Sequence, residues 1–164
     1  MKRTILLTIA TAALAILPAF GDDSTLGVTV GPEATFTAVS ATTTLSKANT
    51  TFGNYGGTTS FTYKIRTTTD GGTGSITVLV TSFGSGGPAV SDLSFTCTAP
   101  SSGTPCSSST GASTSTAQSV VGFGPDAHSS NSGDSGTAVW TLADRPQIKT
   151  GDYSSTATFT VSAT

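Results

Sequence analysis

Residues able to do chemistry are few, and most of them fall within a dozen positions. Gly133-Asp134-Ser135-Gly136 sets a serine between glycines, as around a protease nucleophile. Such a serine needs a histidine base, an acid to orient that base, and donors for the oxyanion. The only histidine is His128, seven residues upstream and on the same short stretch, whereas a protease brings its base from a distant part of the chain. Thr137 follows the second glycine where a further glycine is expected. The motif is therefore predicted to be a turn entering a strand around Trp140, with Gly supplying a positive φ. Asp126, Asn131 and Asp134 offer oxygens to a calcium ion, but calcium takes about six to eight oxygens with several carboxylates. Three residues are a thin set, so no metal is expected and calcium is kept only as a minor option. His128 is predicted to be a surface residue. The chain has no paired carboxylates in an apolar setting, no glycine-rich phosphate loop before a helix and no Cys/His cluster. No catalytic residue and no cofactor is expected.

Cys97 and Cys106 are the only two cysteines. In an exported chain an even count reads as a disulfide. Closing that short loop would contribute about 2.5–3 kcal/mol by chain entropy. Export itself is read from the N-terminus. Lys2 and Arg3 precede an apolar run over residues 5–17, Pro18 breaks it, and Ala19 and Gly21 place small residues at a cleavage site. Residues 1–21 are predicted to be a signal peptide that is removed. Thirteen apolar residues are too short for a membrane-spanning helix, which needs about 20. The remaining chain, 22–164, is not expected to span a membrane and is expected to be secreted, extracellular or at the cell surface. It carries five cations and nine anions, a net charge of −4, with no basic patch to grip a phosphate backbone. Nucleic acid is excluded as a partner.

The elements that must position these residues follow from period-two alternation. Leu26, Val28 and Val30 alternate with Gly and Thr until Gly31-Pro32 interrupts. Further segments centre on residues 34–39, on Phe61, Tyr63 and Ile65, on Ile76, Val78 and Val80, and on Leu93, Phe95 and Cys97. Val120 to Phe123, then Ala138, Trp140 and Leu142, mark two more. The last runs from Tyr153 to Ala163 with Ser or Thr at most of the alternate positions. Asp70-Gly71-Gly72 is a turn signal. No stretch after the leader has helical periodicity. The expected fold is all-β, an immunoglobulin-like antiparallel β-sandwich of about seven or eight strands in a single domain, 22–164. An outer-membrane barrel would need strands of about 9–11 residues and aromatic girdles, and most segments here are shorter. Trp140, Phe61, Tyr63, Phe95 and Phe159 are the expected core. Residues 98–118, rich in Ser, Thr and Gly, are expected to form a surface loop.

The C-terminal run from Thr150 to Val161, with Gly151-Asp152-Tyr153 before an alternating Thr/Val strand, resembles the ending of secreted bacterial pilus-subunit and spore-coat-U-like proteins. That resemblance implies an immunoglobulin-like sandwich assembled into surface filaments or coats, in which a neighbour's N-terminal extension fills the place of a missing strand. Residues 22–31, with Leu26, Val28 and Val30, would be the donor strand here. The expected function is thus an extracellular structural subunit that self-associates by β-strand addition. The alternative is a secreted module that binds a carbohydrate or another surface through loop aromatics, with Phe52, Tyr55 and Phe83 near Gly-rich turns as the binding candidates.

Overall fold

A computed structural model describes residues 24–47, 51–99, 102–106 and 108–164. The expected leader and positions 22–23 of the expected donor strand lie outside the described residues. The chain forms two antiparallel sheets packed face to face, as the alternation predicts. In chain order the strands are β1 (Glu33–Val39), β2 (Ser46–Lys47), β3 (Tyr55–Arg66), β4 (Gly74–Val80), β5 (Leu93–Thr98), β6 (Thr104–Pro105), β7 (Thr110–Gly111), β8 (Gln118–Phe123), β9 (Asp134–Leu142) and β10 (Ala157–Ala163). One sheet runs β1-β3-β9-β5-β7, with β2 also on β3; the other runs β10-β4-β8-β6. A 3-10 turn at Val90–Asp92 leads into β5.

Period two decides which side chains meet. β3 and β9 pair Phe61 with Gly136 and Tyr63 with Asp134, so the inward set of each strand faces the opposite sheet. Phe61, Tyr63, Ile76, Val78, Phe95, Val120 and Val121 are the largest fully buried side chains. Trp140 packs on Phe95 with ring centroids 5.1 Å apart. Its indole Nε1 donates to the buried Thr59 hydroxyl at 2.8 Å, which also shares a 2.6 Å bond with Thr43. This satisfies the polar atoms of the core, where an unmet donor would cost about 1–3 kcal/mol.

The outward set is almost all hydroxyl. On β3 from Thr58 to Thr62, on β9 from Ser135 to Thr141 and on β5, every outward residue is Ser or Thr except Val139. β4 and β10 repeat this with the exception of Leu79. Cross-strand pairs lock the hydroxyls together, as in Thr98–Thr137 at 2.7 Å and Thr62–Ser135 at 3.0 Å. Ion pairs sit at the ends of the sandwich: Lys47–Asp144 at 2.6 Å and Arg145–Asp92 at 2.9 Å at one end, Arg66–Glu33 at 3.2 Å at the other.

Four expectations need correction. Residues 26–30 form no strand: Gly31-Pro32 separates them from β1, and among the described residues no strand pairs with them. Phe159 is only half-buried, since β10 lies at the end of its sheet. The 98–118 stretch is more than a loop, because it carries β6 and β7. Tyr153 precedes the last strand: its hydroxyl lies 3.0 Å from both the Lys149 and Gly86 carbonyl oxygens and is shared between them. That geometry is a tyrosine corner, in which a phenol before a strand ties back to backbone a few residues upstream.

Candidate functional site

The residues that suggested chemistry are held apart. Ser135 pairs with Thr62, whereas His128 bridges Arg66, four residues further along the same strand. At the strand rise that is roughly 13 Å of backbone, too far for a serine–base pair. The two glycines of the motif have structural causes. Gly133 sits at φ 91° in the turn closed by its own N–H on the Ser130 carbonyl, 2.9 Å. A Cβ on Gly136 would lie 2.6 Å from the Phe61 ring and 2.9 Å from the Thr98 carbonyl oxygen. Asp134 accepts the Ser102 hydroxyl at 2.5 Å and the Ser130 N–H at 3.1 Å. Partial burial pushes the Asp134 carboxyl up, but those hydrogen bonds together outweigh it and hold it below the usual aspartate range. The Tyr63 phenol is pushed up by burial, with the Ser102 hydroxyl opposing and the Asp134 charge adding.

The calcium option gains no support from this geometry. Asp126 and Asp134 border one shallow cavity, Asn131 borders another, and Asp134 already uses both oxygens. Among the described residues no three His, Cys, Asp or Glu side chains converge on a metal position. His128 is exposed at the surface: its Nδ1 lies 2.8 Å from the Asp126 carbonyl oxygen, which can only accept, so Nδ1 carries the proton.

Of the three loop aromatics, Phe52 and Tyr55 come together and Phe83 stays apart. The Lys47 ammonium lies 5.6 Å from the Phe52 ring centre and 5.5 Å from that of Tyr55. Its bond to Asp144 raises the lysine above its ordinary value against the effect of burial, with the Asp144 and Tyr55 charges adding. Phe52 is 56% exposed with φ 53°. Phe83, like Tyr55, packs against the core, away from Lys47.

The disulfide is present and joins the two sheets. Cys97 is the next-to-last residue of β5 in one sheet, and Cys106 follows β6 in the other. It closes one lateral side of the sandwich. The opposite side has no such closure. There β1 and β10 lie against each other but exchange no ladder bonds. Their inward residues Ala34, Phe36, Phe159, Val161 and Ala163 are all only partly covered. Phe159 reaches Phe61 at 5.7 Å and Trp140 at 6.5 Å, so the core continues to the surface here.

The topology explains the gap. The order β1-β3-β9-β5 matches the A-B-E-D sheet of an immunoglobulin sandwich, and β4-β10 matches C-F. In that arrangement a further strand, G, lies beside F. Among the described residues no strand occupies that place next to β10. The three donor-strand candidates stand free nearby: Leu26, Val28 and Val30 are 94%, 87% and 61% exposed. The segment leaves the domain where Arg66 Nε donates to the Gly31 carbonyl at 2.8 Å, at the end where β10 finishes. Alternation picks out Leu26, Val28 and Val30, and the even cysteine count picks out the disulfide. The unpaired edge of β10 was hidden, because neighbour relations between sheets leave no local trace in sequence. Compared with family models, curated proteins and solved structures, the chain matches none of them.

Proposed function

We propose that this chain is an exported structural subunit, outside the cytoplasm, that assembles by β-strand addition between copies. The observation carrying this reading is a complementarity. Among the described residues, one apolar, alternating, exposed segment pairs with no strand, and one strand edge lacks a neighbour over a half-covered core. An incoming strand on β10 would complete its sheet with ladder bonds, and Leu26, Val28 and Val30 of a second copy would cover Phe159, Val161 and Ala163 as β1 yields. Because donor and acceptor are different surfaces, the contact is head-to-tail and propagates. The reading assigns no catalytic role to any residue.

The test is deletion of residues 22–30 from the secreted chain, followed by sedimentation and negative-stain electron microscopy. The expected result is that the full chain forms filaments or oligomers and the deleted chain remains monomeric. Identical assemblies from both would defeat the reading.

A second reading rests on Phe52 and Tyr55, which share one end of the sandwich with Lys47 and Asp144 and leave a ring face exposed. Such a set suits stacking on a sugar ring with polar groups beside it. Selective glycan binding by the full chain, lost in Tyr55→Ala, would favour this module.

A further inference from the structure

The segment that crosses the closed side carries an inference of its own. β6 pairs Thr104 with Gly122 and Pro105 with Val121 on β8, the edge of one sheet. A few residues later β7 pairs Thr110 with Phe95 and Gly111 with Ser94 on β5, the edge of the other. Between them Cys106 donates its N–H to the Val120 carbonyl at 3.0 Å and is bonded to Cys97 of β5. Beyond β7, Ala112 donates to Leu93 at 2.9 Å and Ser113 accepts from Val80 at 3.0 Å. The chain therefore straps both sheet edges and is covalently pinned midway.

The strap is itself unfit to receive a strand. Antiparallel residues alternate between pairs that bond across the ladder and pairs whose N–H and C=O point away. Cys106 opposite Val120 bonds inward, so Pro105 one residue earlier presents its backbone nitrogen outward. Proline has no N–H there, so the outer rim offers no donor at that point. Each strap strand is two residues long, too short to template a neighbour.

We infer that the disulfide-pinned strap limits each chain to one strand-accepting side, so that residues 24–30 of a second copy enter on the side of β1 and β10 and not beside β5 or β8, and assembly proceeds in a single line. This rests on the proposed strand addition for the acceptor beside β10; the closure of the other side stands independently of it. Without the pin, two two-residue strands hold by a handful of ladder bonds, and β5 and β8 become bare edges able to take the same segment.

The experiment compares the full chain with its C97S/C106S variant, each kept monomeric by dilution, using a synthetic peptide of residues 24–32. Hydrogen exchange is expected to speed at least tenfold over residues 93–98 and 118–123 in the variant, with residues 74–79 unchanged. Native mass spectrometry is expected to count one peptide on the full chain and at least two on the variant. Unchanged exchange at β5 and β8, or one peptide on both proteins, overturns the inference. Peptide on neither protein defeats strand addition itself, and is distinct from both outcomes. Where the double variant does not fold, P105T in the oxidised chain restores an outward N–H. A second, weaker peptide on P105T is expected, and a count that stays at one overturns the inference.

Discussion

The side of the sandwich bounded by β6 and β7 and the side bounded by β1 and β10 end the same two sheets in different ways. On the first, a strap and a disulfide bridge the sheets, and the strands beneath it keep Leu93, Phe95, Val120 and Val121 buried. On the second, two edge strands meet only through side chains, and Phe36, Phe159 and Val161 remain partly wet. Apolar inward residues recur on both. Cover, then, depends on whether something spans the two edges, and hydrophobicity of the strands alone does not supply it. An aromatic side chain left half-covered at an edge that still has hydrogen-bonding capacity is where a partner gains most.

Substitutions can break or sharpen this contrast. The largest effect belongs to Phe95→Ala, beneath the strap: losing a fully buried ring beside Trp140 should lower unfolding free energy by about 3–5 kcal/mol in urea titration. Next, C97S/C106S should cost about 2.5–3 kcal/mol in the same measurement, through release of the closed loop. Phe159→Ala on the unpaired side should cost the monomer only about 1 kcal/mol, half the burial of a core ring, yet weaken assembly in sedimentation. An equal loss for Phe95→Ala and Phe159→Ala would erase the distinction between the sides. The smallest effect concerns the Asp134–Ser102 tie. Asp134 is held below the usual aspartate range in the folded state. Its contribution is therefore complete above the unfolded value of about 4 and is lost as pH falls through the lower folded value. Thermal melts should show this acid limb, and D134N should lack it.

How legible this was in sequence varied with how local the cause is. The β3, β4, β5 and β9 strands and their inward residues follow from alternation, which the pleat imposes residue by residue; in β8 the neighbours Val120 and Val121 are both buried, at a register shift opposite β4. The disulfide followed from compartment and count. Residues 26–30 carry the same alternation as a true strand, yet pair with nothing, because pairing needs a neighbour and alternation does not encode one. Phe159 has an inward position and an edge strand at once, and only the strand order reveals that its burial is partial. β6 and β7 escaped notice since Thr104-Pro105 and Thr110-Gly111 are too short and too polar to stand out. Phe52 and Tyr55 were read as neighbours of turns; the ammonium of Lys47 between them came from β2, a two-residue strand with no pattern to read.

The confinement of charge to the two tips, with hydroxyls tiling both flanks, sets how such particles would crowd. Ionic strength screens Coulomb forces beyond about 8 Å in physiological salt, and here it acts on the tips alone. Flank against flank, what must be displaced is bound water, held by Ser and Thr side chains already knitted to each other. A fibre of these units would thus stay dispersed through its hydration layer, in brine as in dilute buffer.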